Sequence, residues 1–95
     1  MSNEGKQKAV LVEVLTASGC SRCQKTKALA LSVIAEFDES RIEYREINVV
    51  EAIDYAVELG VLSTPAIAID CELVFPLLPS ASKLRSAIFD RLKGS

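Results

Sequence analysis

The stretch KAVLVEVLTASGCSRC (residues 8–23) restricts the fold more than any other. Val10, Val12 and Val14 share one parity, and Leu11 and Leu15 the other. A short β-branched run that is apolar on both parities reads as a central strand covered on both faces. Ala17, Ser18 and Gly19 then turn the chain. From Ser21 the spacing becomes helical: Leu29, Ala30, Val33, Ile34 and Phe37 share one face of a helix over 21–37, and Ala28 and Leu31 widen the stripe. A strand that hands over directly to a helix calls for a parallel neighbour and a crossover connection.

The rest of the chain supplies that neighbour. RIEYREINV (41–49) alternates first through Ile42 and Tyr44, then through Ile47 and Val49. The slip predicts a bulge or strand end near Arg45. Residues 48–61 open with Asn48 and Glu51 at capping-box spacing. Ile53, Ala56 and Val57 form their expected buried face, and Gly60 followed by Val61 is the stop. STPAIAIDCELVF (63–75) reads as two strands around a tight turn at Asp70–Cys71. Residues 80–92 read as a last helix, with Ser80 or Ser82 as its cap and Leu84, Ala87, Ile88 and Leu92 as its buried stripe. The order β-α-β-α-β-β-α predicts an α/β fold: a four-stranded mixed sheet with helices on both faces.

At 95 residues the chain suits one domain. Residues 8–93 are expected to form it, with 1–7 disordered and 93–95 frayed. Nearly half the residues are hydrophobic (49%), enough for a core. The net charge of −2, with signs mixed along the chain, offers no basic surface for nucleic acid. The polar start MSNEGKQK is not expected to act as a signal peptide, and no apolar run is long enough to span a membrane. A cytoplasmic monomer is expected. The chain has no histidine, which removes the commonest metal ligand and rules out Ser–His and Cys–His catalysis.

Three cysteines are an odd number, and a disulfide framework is not expected in the cytoplasm. Cys20 and Cys23 admit three readings: two core thiols, a metal clip or a redox pair. Core thiols fit poorly, because the pair lies on a polar junction. A metal clip would need Cys71, the only other cysteine. If Pro65 lies beside the pair, the strand over 66–70 carries Cys71 roughly 15–20 Å away at about 3.3 Å per residue. A metal would then need outside ligands or a second chain. Cys71 itself reads as an incidental exposed thiol, with a disulfide between two copies as the alternative. Phe75, Pro76, Leu77 and Leu78 read as core closure, the alternative being an apolar rim where a partner docks.

A strand, then Cys20-Ser21-Arg22-Cys23, a helix, and Ser63-Thr64-Pro65 opening a strand some forty residues later resembles the thioredoxin-like superfamily, in particular its small thioredoxin/glutaredoxin-like redox proteins. The resemblance spans residues 8–93. It implies a thiol–disulfide oxidoreductase with Cys20 as nucleophile and Cys23 as resolving thiol. It also implies a cis-proline at Pro65, substrate contacts from Ser63 and Thr64, no metal, and no cofactor beyond the dithiol. The implied partners are a protein or small molecule bearing a disulfide and a reductase. The chain departs from the pattern in four places. Gly19 stands where thioredoxins have Trp. Ser21-Arg22 replaces Gly-Pro between the cysteines. Val14 occupies the position of the buried acid that deprotonates the resolving thiol, while Glu13 points to the other face of the strand. The segment 75–80 lacks the Gly-Gly turn of glutathione sites.

The chemistry follows from placement. A free thiol titrates at about 8.5. At a helix start, unpaired N–H groups and the positive end of the helix dipole favour the thiolate. Arg22, with Lys25 and Lys27 behind it, acts in the same direction. Cys20 is therefore expected to titrate below the free value, with Arg22 tuning it. Deprotonation of Cys23 is expected to be the slow step.

Overall fold

The computed structural model describes residues 10–37 and 39–94. Strand β1 (Val10–Thr16) leads into α1 (Ser21–Ile34). A 3-10 turn, Glu39–Arg41, precedes β2 (Ile42–Asn48), followed by α2 (Ile53–Leu59). Then come β3 (Ala66–Ile69), β4 (Glu72–Phe75) and α3 (Ala81–Gly94). The sheet order is β2-β1-β3-β4. Strand β1 pairs parallel with β2, from Val10 with Ile42 to Thr16 with Asn48, and antiparallel with β3, from Val12 with Ile69 to Leu15 with Ala66. This is the expected α/β architecture. The expected disorder of 1–7 lies outside the described residues. Lys93 and Gly94, expected to fray, continue α3.

Side-chain parity builds two cores. Val10, Val12 and Val14 of β1 join Ile67 and Ile69 of β3 beneath α1 and α3, which contribute Ala30, Val33, Ile34, Leu84 and Ile88. Each fully buried aliphatic side chain contributes about 1.5–3 kcal/mol relative to exposure. On the other face Leu15, Ala66 and Ala68 meet Leu59 and Val61 from α2 and the turn after it. The sheet is thus covered by helices on both faces. The seven-residue α2 covers this face through Leu59, which packs on the cluster that includes the β3 alanines.

Several local expectations need correction. Strand β2 runs without interruption past Arg45, in continuous register with β1. The slip in its pattern comes from its two faces. Ile42 and Tyr44 pack toward α1 and α3, whereas Ile47 and Val49 pack toward α2. The register shift lies instead between Ile67 and Ala68, where β3 meets β4. Asn48 does not cap α2. Its Oδ1 accepts the N–H groups of Val50 (2.9 Å) and Glu51 (3.3 Å), closing a side-chain turn ahead of the helix. Helix α2 starts at Ile53, and Ile53 and Val57 are exposed; among the three expected core positions only Ala56 is buried. At its end Gly60 adopts φ 85°, and the Val61 N–H bonds to the Ala56 carbonyl, the expected left-handed stop. Helix α1 ends at Ile34, before the expected 37, and Ala28 and Leu31 lie on its exposed side. Ser80 caps α3: its Oγ accepts the Lys83 N–H at 3.2 Å. The hairpin turn falls at Asp70 and Cys71 as expected, both with positive φ (52° and 65°).

Candidate active site

The C-terminal end of β1 and the N-terminal end of α1 position the cysteine pair. Thr16 closes the strand, and Gly19 (φ 77°) supplies the left-handed residue of the turn. The Cys20 N–H bonds back to the Ala17 carbonyl at 3.3 Å, and the Cys23 N–H reaches the Cys20 carbonyl at 3.3 Å. Cys20 is therefore the N-cap of α1, with an extended backbone (φ −88°, ψ 105°). Its side chain caps nothing, because Cys20 and Cys23 form a disulfide across a Cα–Cα separation of 5.4 Å. One helical turn separates the two residues and also their environments. Cys20 is half-buried, whereas Cys23 is 4% exposed.

The first turn of α1 carries no acidic residue. Arg22 and Lys25 are exposed, while Lys27 reaches Glu46 on β2 at 3.4 Å. Beneath them Thr26 is fully buried, and its hydroxyl donates to the Arg22 carbonyl at 3.1 Å. That bond satisfies a polar group that would otherwise be stranded under the helix.

The segment ahead of β3 closes the other side of the site. Ser63 is exposed, Thr64 half-buried and Pro65 buried, and the Thr64–Pro65 peptide is cis. A surface cavity of about 320 Å³ is lined by Cys20, Ser21, Arg22 and Thr64, with the 17–19 turn as its rim. A second, of about 390 Å³, is lined by Arg22, Ser63, Thr64, Pro65, Leu77 and Leu78. The structure thus brings together all six residues singled out in the sequence: Cys20 and Cys23 through their bond, and the others around the two cavities. Leu77 (70% exposed) and Leu78 (44%) correct the expectation of core closure. Only Phe75 of that segment packs on the core. Pro76 and Pro79, which bracket the two leucines and interrupt both strand and helix, were the signal for an exposed loop.

Two acid positions behave differently. Val14 is fully buried beneath α1 and offers Cys23 no carboxylate from that position. Glu13, also buried at 1% exposure, lies on the opposite face, where Tyr55 of α2 donates a hydrogen bond to its Oε1. Arg45 Nη1 stands 3.8 Å from Oε2. Burial, and then the Glu13 carboxylate, push the Tyr55 hydroxyl well above the usual phenol range. Sequence reading placed Glu13 on that face but missed this network, because Tyr55 lies forty-two residues away. Cys71 is exposed on the β3–β4 turn, at the end of the sheet away from the pair: Ala66 adjoins Leu15, and Ile69 adjoins Val12. It cannot complete a metal clip within one chain. Among the described residues no three His, Cys, Asp or Glu side chains are grouped to hold a metal.

Known proteins share both the sequence and the arrangement. A family model described as a thioredoxin domain matches residues 10–88. A thioredoxin of Methanocaldococcus jannaschii is 31% identical over 83 residues, which cover 87% of this chain and 96% of that protein. The fold also superposes on mitochondrial thioredoxin 3 of Saccharomyces cerevisiae in its oxidized form (TM-score 0.68, 22% identity), over 90% of this chain and 81% of that one. HBP35 of Porphyromonas gingivalis gives a TM-score of 0.75 at 17% identity, over 88% of this chain; the match spans only 32% of that longer chain. With its cysteine pair joined at the start of α1, the chain is a thiol–disulfide oxidoreductase, and it belongs to the thioredoxin family.

Proposed function

We propose that the protein reduces or exchanges disulfides in proteins or small molecules, cycling between the Cys20–Cys23 dithiol and its disulfide. The Cys20 thiolate attacks one sulfur of the substrate disulfide, and the other sulfur leaves as a thiolate. The Cys23 thiolate then attacks Cys20 in the mixed disulfide, releasing the second substrate thiol and closing the Cys20–Cys23 bond. Two electrons pass from the dithiol to the substrate, and a reductase or thiol must return them.

The observation that carries this reading is the unequal exposure of two bonded sulfurs at a helix start. A half-buried Cys20 facing a cavity suits the attacking role, and a 4% exposed Cys23 suits the resolving one. The helix N-terminus and Arg22 favour the Cys20 thiolate. Ser63, Thr64 and Pro65 form the facing wall on which substrate lies. The reading requires no cofactor beyond the dithiol and suits a monomer in the reducing cytoplasm. With Val14 at the acid position, proton removal from Cys23 falls to water or to the leaving thiolate. The test is turnover of a peptide disulfide at limiting dithiothreitol. Cys20→Ser and Cys23→Ser lose turnover, and Cys71→Ser keeps it. Unchanged turnover in Cys20→Ser refutes the cycle.

A further inference from the structure

We propose that Arg22 makes the site selective for disulfides in acidic polypeptide segments, with a carboxylate within about two residues of the reacting cysteine and an apolar side chain beside it. The proposal rests on the oxidoreductase reading and deepens it by naming the substrate class.

The two cavities share Arg22 and Thr64, so they form one continuous surface past Cys20. Among the described residues Arg22 is the only charged side chain lining either of them. It is exposed, and among the described residues no ion pair holds it. Other cations of the chain are differently placed: Lys27 with Glu46, Arg85 with Glu36, and Arg91 with Glu72. Thus, among the described residues, a chain of net charge −2 lines the surface past its reactive sulfur with one cation and no carboxylate. A guanidinium offers a planar pair of N–H donors matched to a carboxylate.

Beyond Arg22 the second cavity turns apolar. Leu77 and Leu78 stand exposed on its rim, and Pro65 is buried at its floor. Its 390 Å³ holds a side chain in addition to the carboxylate, which favours a polypeptide over a small anionic thiol. The strand ladder of β3 begins only at Ala66, leaving Ser63 and Thr64 outside it. An extended segment crossing at Thr64 therefore places its cysteine at Cys20, an acidic neighbour at Arg22 and an apolar one at Leu77 and Leu78.

The test uses the reduced protein and three synthetic peptides, Leu-Cys-Glu, Leu-Cys-Gln and Leu-Cys-Lys with blocked ends. Each is activated as a disulfide with uncharged 2-thiopyridine, whose release is read as a single-turnover rate constant. A half-exposed ion pair changes such constants by about two- to five-fold, so the acidic peptide outruns the neutral one by that factor and the basic peptide by more. Half-molar salt compresses the differences. Arg22→Gln abolishes the ratio and Arg22→Glu inverts it. Normalising to the Gln peptide removes any effect of the substitution on Cys20 reactivity itself. Equal rates for the Glu and Lys peptides in the unaltered protein overturn the proposal, as does a preference that survives Arg22→Gln. The mixed disulfide of glutathione with the same 2-thiopyridine reacting faster than the acidic peptide overturns the polypeptide assignment. If none of these disulfides is cleaved, the oxidoreductase reading fails, and the selectivity with it.

Discussion

Replacing Tyr55 with Phe isolates the buried polar contact beneath α2. Glu13 is 1% exposed on the central strand, and the Tyr55 hydroxyl donates to one of its oxygens. Among the described residues the second oxygen meets only Arg45, at 3.8 Å, whose side chain is 52% exposed. A hydrogen bond to a charged group contributes about 1.5–3 kcal/mol. A half-exposed ion pair contributes about 0.2–1 kcal/mol and cannot replace it. Phe keeps the ring and its packing, so the loss is confined to the hydroxyl. Tyr55→Phe should therefore cost about 2 kcal/mol, or roughly 10 °C in Tm for a domain of this size. Urea unfolding at pH 7 reads this directly, with the m-value unchanged. The sign with pH is also defined. The folded-state Tyr55 hydroxyl titrates above its ordinary 10.0, so the unfolded chain loses its proton first. Stability is intact below pH 10 and falls above it, and Tyr55→Phe makes that fall shallower. A cost below about 0.5 kcal/mol, or no coupling to Glu13→Gln in a double-mutant cycle, would refute the reasoning.

Two further predictions concern other parts of the fold. Arg85 of α3 grips Glu36, after the end of α1, through bonds of 2.6 and 3.0 Å, and that hydrogen bond holds the Glu36 carboxyl below its ordinary 4.5. This contribution is present above pH 4.5 and fades as pH falls through the lower folded-state value; Glu36→Gln should flatten the acid limb of stability, measured by urea midpoints between pH 3 and 6. An unchanged acid limb contradicts it. Cys71 holds a left-handed φ of 65° in the β3–β4 turn, where Gly sits without strain, so Cys71→Gly should raise stability by about 0.5–1 kcal/mol in the same assay and leave turnover intact.

The parts legible from sequence are those set by local patterns. Alternating valines defined β1, Asp70–Cys71 defined the hairpin, and the cysteine pair lay where a strand becomes a helix. What escaped depended on partners distant in the chain. The phase slip at Arg45 reads as a bulge only if one face of β2 is buried, and here each face is covered at a different place. Asn48 has the spacing of a helix cap, yet its side chain closes the preceding turn. The exposure of Ile53 and Val57 reflects how α2 lies on the alanines of β3, a tertiary choice that a seven-residue helix leaves undetermined. At the site, the cysteines and the Ser63–Pro65 segment were identifiable by motif. The apolar rim at Leu77 and Leu78 stood only as the second reading, because apolar residues are usually core, and the bracketing prolines were the signal against that.

The most direct test of the central claim is a trapping experiment on reduced Cys23→Ser. It is incubated with a peptide disulfide, and the adduct is mapped by mass spectrometry of proteolytic fragments under acid quench. A stable mixed disulfide on Cys20 is the predicted result. An adduct on Cys71 with Cys20 unmodified would contradict it.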